Sequence, residues 1–275
     1  MMNDKEKTRL LTEKCVEWLK KYFADAGNPK AVVGISGGKD STVVAYLCVK
    51  ALGKENVIGV LMPNGQQLDI DDSYEVVKNL GIRYHLINIR NAYMALWNEY
   101  PDIQASTQAR VNLSPRLRMS ALYMVAQTVG GRVVGTGNLC ESILGYYTLW
   151  GDGACDVNPI RNMLVSEVIA VGEILGVPDH LVHKAPSDGL TGKTDEENFG
   201  FTYKDVEAYI CHDWDALDEE TKTKIDKRVD AVMWKSRMSP AIPNFNDLNL
   251  LWHLKEEESF VQSPQIIMVE KSKKS

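Results

Sequence analysis

Short apolar runs alternate with amphipathic stretches through the first half of the chain. Leu11, Cys15, Trp18 and Tyr22 recur at helical spacing, which predicts a helix from about residue 5 to 26. Ala31–Ile35 is a short β-branched run that reads as a buried strand and ends in Ser36-Gly37-Gly38. From Asp40 the pattern is helical again, and Val57–Met62 is a second buried strand followed by the turn Pro63-Asn64-Gly65. A helix is expected from about Asp71 to Leu80, a third strand at Arg83–Ile89, helical sequence to about Val129, and a fourth strand at Arg132–Gly137. Apolar strands separated by helices predict an α/β fold: a doubly wound, mostly parallel, Rossmann-like sheet with helices on both faces. Ligands in such sheets sit beyond the carboxyl ends of the strands, so Ser36, Pro63 and Gly137 are expected to converge.

The second half is more helical. Two segments interrupt it: Tyr146–Val157, which carries Gly151-Asp152-Gly153, and Lys184–Gly200, a long polar glycine-containing stretch of the kind that forms active-site lids. One domain is expected over residues 1–262, with a flexible tail at 263–275 ending in Glu-Lys-Ser-Lys-Lys-Ser.

Composition narrows the function. With 44% hydrophobic and 25% charged residues, the 275-residue chain has the make-up of a soluble globular protein. A net charge of −6 argues against a partner held mainly by phosphate neutralisation, so no nucleic-acid partner is expected. The five cysteines are an odd number without a C-x-x-C pair, the pattern of reduced packing thiols. No apolar run approaches a membrane span, and the N-terminus is too charged for a signal peptide; a cytoplasmic location without membrane association is expected. The histidines form no evident catalytic constellation.

The most informative stretch is Ile35-Ser36-Gly37-Gly38-Lys39-Asp40-Ser41-Thr42. Glycines between strand and helix let backbone N–H groups approach an anion, and the following helix N-terminus adds partial positive charge. Ser36, Ser41 and Thr42 supply hydroxyls. Asp40 beside phosphate makes sense with Mg²⁺ between them. The spacing is not that of a Walker A loop.

This loop resembles the pyrophosphate loop of the N-type ATP pyrophosphatases, which share an adenine nucleotide alpha-hydrolase-like fold. From about residue 10 to 240 the chain resembles the NAD synthetases of that group. The resemblance implies an ammonia-dependent ligase that adenylates the carboxylate of deamido-NAD and releases AMP, pyrophosphate and NAD. It places ATP against Ser36, Gly37, Gly38, Asp40, Ser41, Thr42, Met62, Gln67, Arg118, Thr136 and Ser187. It places deamido-NAD against Asn112, Arg116, Tyr146, Asp152 and Asp156. Asp40 and Glu141 are the implied metal ligands and, with Lys193, the implied catalytic residues. The motifs that carry it are Met62–Gln67 with the acids after it, Asn112-x-x-x-Arg116-x-Arg118, Gly135-Thr136-x-x-x-x-Glu141, Gly151-Asp152-x-x-x-Asp156, and Pro186-Ser187-Asp188-Gly189. A homodimer is also implied, with weak support from the aromatic-rich helical sequence between Tyr93 and Tyr123.

Three positions depart from the family pattern. Leu149 and Val165 stand where a basic residue is usual, and Trp234-Lys235-Ser236-Arg237 only approximates a His-Lys pair. Arg161, Lys184, Lys193, Lys235 and Arg237 are the candidates to replace the lost charge. Two other readings remain open: another member of the group acting on a nucleobase or tRNA, and an ATP-binding homologue with weak turnover. The resemblance occupies nearly all of the sequence, so free ammonia rather than glutamine is the expected nitrogen donor.

Overall fold

The computed structural model describes residues 3–99, 106–184 and 195–237. Helix α1 (Asp4–Asp25) opens with a capping box between Asn3 and Glu6. Strand β1 (Lys30–Gly34) leads into α2 (Lys39–Leu52), followed by β2 (Val57–Leu61), α3 (Ile70–Leu80), β3 (Arg83–Leu86), α4 (Arg90–Asn98), α5 (Thr107–Val129) and β4 (Gly131–Val134). The later part comprises α6 (Leu139–Ile143), α7 (Val165–Leu175), α8 (Asp179–Val182), α9 (Asp195–Phe199), α10 (Tyr203–Ile210) and α11 (Glu219–Val232). No described helix is long and apolar enough to cross a membrane.

The four strands are parallel in the order β3-β2-β1-β4. Pairing runs from Ala31 opposite Val57 on one side of β1 and from Lys30 opposite Gly131 on the other. Alternation along β1 explains how both faces are covered. Ala31 and Val33 join Leu11, Leu19, Phe23, Leu47, Val168 and Val171 in a core with α1, α2 and α7. Val32 points the other way, into a cluster with Ile58, Val60, Ala121, Val125 and Val133, where α5 forms the cover. A smaller apolar cluster joins α6, α10 and α11 through Leu139, Leu144, Val206 and Ile225, and Ile169 of α7 touches both it and the first core.

Two strands are shorter than their apolar runs. β3 stops at Leu86, and its Tyr84 and Leu86 are exposed, as befits an edge strand covered on neither side. Beyond it, the N–H groups of Ile87 and Ile89 still donate to Leu61 and Pro63 (2.8 and 2.9 Å), so the chain tracks β2 without strand geometry. β4 ends at Val134 because Gly135 leaves the ladder to bond the Val157 carbonyl (2.7 Å).

With β2 and β3 on one side of β1 and β4 on the other, the chain changes winding direction between β1 and β4. Their carboxyl ends therefore flank the crevice at which open parallel sheets bind ligands. Backbones are packed closely around it. A Cβ on Gly172 in α7 would lie 2.6 Å from Val182 Cγ2 and 2.9 Å from Val43 Cγ2, so only glycine allows α7 to seat against α2 and α8. Gly172→Val is expected to cost about 1–3 kcal/mol by overpacking. Urea unfolding measures this, and an unchanged midpoint would contradict the tight helix contact.

Candidate active site at the junction of the first and fourth strands

The loop after β1 is knit together by its own hydroxyls. Ser41 Oγ accepts from the Ser36 N–H (3.2 Å) and donates to the Gly38 carbonyl (3.1 Å), and Ser36 Oγ lies 3.0 Å from Ser41 Oγ. Thr42, fully buried, donates to the same Gly38 carbonyl at 2.8 Å. Both hydroxyls therefore shape the loop. Ser36 Oγ also accepts from the Gly38 N–H at 3.2 Å. Gly37 has φ +80°, and a Cβ there would meet Asp72 Cβ at 2.8 Å and the Ser73 nitrogen at 3.0 Å. The loop thus leans on the start of α3, and this approach is the physical reason for glycine.

Across the crevice, Asn138 caps α6, exchanging hydrogen bonds with Glu141 at 2.9 and 3.0 Å. The Asn138 side-chain nitrogen donates to Asp40 Oδ1 at 3.1 Å, tying the β4 turn to the β1 loop. Asp40 Oδ2 pairs with Lys39 at 2.9 Å. Burial and the nearby Asp40 push the Glu141 carboxyl up to about 8. Two carboxylates held this close favour a cation between them.

The donor set fits a magnesium ion that arrives with phosphates. Among the described residues no cluster of three or more His, Cys, Asp or Glu side chains could hold a metal. Asp40 and Glu141 thus leave most of an octahedron to phosphate oxygens and water, the usual situation for Mg²⁺ with a nucleotide.

The remaining residues named from sequence distribute unevenly. Thr136 is half-buried at the carboxyl end of β4, beside the crevice. Met62 follows β2, and its carbonyl accepts from Arg118 Nε at 2.9 Å. Gln67 donates to Asp69 at 3.0 Å. Arg116 instead donates from its Nε to the Leu149 carbonyl at 3.3 Å. Residues two apart on a helix do not face each other, so α5 sends these guanidinium groups to different partners. Asn112 accepts from Thr148 Oγ1 (2.9 Å), joining α5 to the 145–153 loop.

In that loop, Asp152 is exposed as a residue while its carboxylate accepts the Thr148 N–H at 2.9 Å. Surrounding protein nevertheless raises its pKa, with burial outweighing its hydrogen bonds. Tyr146 packs edge-on against Phe199, with ring centroids 4.6 Å apart, in the smaller apolar cluster. Asp156 is committed differently. Its oxygens accept the Val133 N–H (2.8 Å) and the Tyr123 hydroxyl (3.2 Å), which fastens the loop to the edge of β4. Ser187 and Lys193 lie outside the described residues, as do the end of the expected domain and its tail.

Two contributors are not among the site residues expected from sequence, and a third, Arg161, is expected only as a replacement for lost charge. Lys39 is buried against Asp40, Asn138 bridges the two motifs, and Arg161 is buried over the Tyr147 ring, 5.2 Å from its centroid. Lys39 and Asn138 stand inside the motifs themselves, and a search for partners of Asp40 would have found them. Arg161 is one of the basic residues expected to replace the charge lost at positions 149 and 165, and its guanidinium lies close to the turn after β4.

A glycine-rich loop and an acidic pair at the winding switch of a parallel sheet define a nucleotide-binding α/β protein of the adenine nucleotide alpha-hydrolase type. The family model described as NAD synthase matches residues 11–239. The NH3-dependent NAD+ synthetase of Pyrococcus horikoshii is 37% identical over 248 residues, covering 86% of this chain and 96% of that one. Among solved structures, NMN synthetase from Francisella tularensis superposes with TM-score 0.77 at 33% identity, covering 86% of this chain and 99% of that one. The NH3-dependent NAD synthetase of Campylobacter jejuni gives TM-score 0.72 at 27% identity, covering 89% and 100%. The chain belongs to the NAD synthase family, ligases that form a C–N bond.

Asp156→Ala is expected to strand the Val133 N–H and lower stability by about 1–3 kcal/mol. Calorimetry of the apo protein measures this; an unchanged melting temperature would free Asp156 for a purely substrate-facing role.

Proposed function

We propose that the chain amidates deamido-NAD to NAD with ammonia, consuming ATP and releasing AMP and pyrophosphate. The observation that carries this reading is the Asp40–Asn138–Glu141 connection, which joins the phosphate loop to the turn after β4. It accompanies family membership and the length of the match to ammonia-dependent relatives.

Carboxylates resist amidation because an oxide would have to leave; transfer of AMP to the carboxylate replaces that oxide with a good leaving group. In the proposed sequence the nicotinate carboxylate attacks the α-phosphorus of ATP, and the electron pair of the breaking bond goes to pyrophosphate. Ammonia then adds to the acyl adenylate and AMP departs with its bridging oxygen, the excess proton passing to solvent. The chain contributes chiefly positioning and charge stabilisation. Backbone N–H groups of the 36–42 loop and the start of α2 would receive phosphate oxygens. Asp40 and Glu141 would hold Mg²⁺, which neutralises phosphate charge when bound. Ser41 and Thr42 would keep the loop in shape. Ser36, Met62, Gln67, Arg118 and Thr136 would line the nucleotide, and Ser187 and Lys193, outside the described residues, belong to the same proposal. Asp152 would face the pyridinium ring, with Tyr146, Asn112 and Arg116 building its surroundings and Asp156 fastening the loop.

The likeness to an NMN synthetase supports a second reading, in which the substrate is the nicotinate mononucleotide. Purified protein given ATP, Mg²⁺ and ammonium chloride, with deamido-NAD or the mononucleotide, separates the two. NAD and AMP formed in equal amounts support the first; amidation of the mononucleotide alone would replace it, and no turnover with either would leave an ATP-binding homologue. Asp40→Asn is expected to keep the fold and reduce turnover by at least about a hundredfold, in line with about 2.7 kcal/mol of lost charge stabilisation. Wild-type rates at limiting Mg²⁺ would remove the metal assignment.

A homodimer in the cytoplasm completes the proposal. Exposed Leu96 and Met124, on α4 and α5, support a subunit contact on the outer side of the sheet. Sedimentation is expected to give twice the 30.8 kDa chain mass, and a monomer across micromolar concentrations would refute it.

A further inference from the structure

Arg161 is 92% buried, with 8% of its surface exposed, yet among the described residues it forms no ion pair with a carboxylate. A buried guanidinium without an anion is costly, because its hydration has been given up with no opposite charge in return. The turn that carries it is rigid. Asn158 Oδ1 accepts the Ile160 N–H at 3.1 Å, Met163 N–H donates to the Ile160 carbonyl at 3.0 Å, and Ile160 itself is fully buried. The side chain is therefore held in place by its backbone.

Its environment points toward the crevice. The guanidinium lies over the Tyr147 ring, 5.2 Å from its centroid, which leaves the N–H donors of its five-donor fork available for an anion. The far end reaches the turn after β4. Arg161 Nη1 and Glu141 Oε2 lie 3.5 and 3.7 Å from one point, the place a Cβ on Gly137 would occupy. Cation and carboxylate thus face the same small gap without closing it as an ion pair. Lys235 Nζ also stands near the Tyr147 ring, 5.3 Å from its centroid, but it is committed to the carbonyls of Gly145 and Tyr147 at 2.9 and 3.1 Å. Lys184 is likewise committed, to Asp69 and Asp72 at 2.7 and 2.5 Å.

We propose that Arg161 is a phosphate-binding residue, whose guanidinium receives oxygens of the ATP pyrophosphate portion in the gap between Glu141 and Tyr147. A planar fork suits two phosphate oxygens at once, which a lysine ammonium does not match. An anion there also lies beside the carboxylates proposed to hold Mg²⁺, so cation, phosphate and guanidinium alternate in charge. In the amidation reading on which the catalytic part rests, the bond between α-phosphorus and bridging oxygen breaks as the carboxylate–phosphorus bond forms. Arg161 then meets the negative charge that collects on the departing pyrophosphate. This chain carries Leu149 and Val165 where its family usually has basic side chains. Val165 is packed in the smaller apolar cluster and the Leu149 carbonyl is used by Arg116, so neither position offers a charge.

The test is calorimetric titration of the full chain with inorganic pyrophosphate in MgCl₂, which needs no turnover. Arg161→Gln is expected to weaken pyrophosphate binding at least tenfold, to leave deamido-NAD affinity within twofold, and not to lower the melting temperature. Arg161→Lys should fall between it and wild type. Should Arg161→Gln fail to fold, Gly137→Ala provides the alternative: its methyl group would sit at ordinary contact distance from both Arg161 and Glu141, fill the gap, and weaken pyrophosphate binding to a similar degree. Unchanged pyrophosphate affinity in the folded variants would overturn the proposal, and so would a loss confined to deamido-NAD, which would move Arg161 to the carboxylate side. A wild-type protein that binds pyrophosphate through Arg161 but makes no amide would refute the proposed reaction and leave this site standing.

Discussion

Asp40 and Glu141 are held across the crevice between β1 and β4, and the site is organised around that unfavourable closeness. Each acid comes from a different strand end, and Asn138 is the group that ties them: it caps α6 through Glu141 and donates to Asp40. Moving the two carboxylates apart would break either the α6 cap between Asn138 and Glu141 or the Asn138–Asp40 hydrogen bond. Burial is the main cause of the raised Glu141 carboxyl, and Asp40 adds to it against the opposing charge of Lys39. A cation delivered with phosphates relieves it, which makes binding of the nucleotide and neutralisation of the site a single event.

Close backbone approach serves the same end. Gly37 brings the phosphate loop against α3, and Gly172 lets α7 seat on α2 behind that loop. At Gly135 a Cβ would fall 2.4 Å from Cys155 Sγ, so the substrate-side loop also reaches the sheet only over a glycine. Asp156 then pins that loop to the edge of β4 through the Val133 N–H. Asp152 is thereby presented from a segment fastened at both Thr148 and Asp156. Rigid support behind a charge is what positions it without a cost in ordering on binding.

Charge has been redistributed within this frame. Apolar residues occupy positions 149 and 165, while a buried arginine and a lysine lie near the Tyr147 ring. Aromatic faces tolerate cations at low hydration, so Tyr147 can carry both groups into a partly dry site. Burial, with Arg228 nearby, depresses the Lys235 pKa, whereas the two aspartates beside Lys184 raise its own. Family likeness at the level of motifs is thus compatible with a different placement of the positive groups.

Periodicity along the chain determined a great deal. Alternation at Ala31, Val32 and Val33 specifies a strand buried on both faces, and Leu11, Cys15, Trp18 and Tyr22 specify the helix that covers one of them; both are local consequences of side-chain direction. The glycine-serine loop after β1 was equally legible, because phosphate approach imposes residue types over a few adjacent positions. What the sequence by itself left open was which separated residues meet. Arg116 and Arg118 look like a pair in the chain, but α5 sends them to Leu149 and to Met62. Asp152 and Asp156 look equivalent, yet one bonds the Thr148 N–H within its own loop and the other spends both oxygens on β4 and Tyr123. Arg161, 24 residues beyond Gly137 in sequence, reaches the same point as Glu141 only through the turn that follows the β4 edge. Local spacing fixes the direction of a side chain relative to its own element; the packing of elements decides which charges share a dielectric environment, and that is where the chemistry of this site is set.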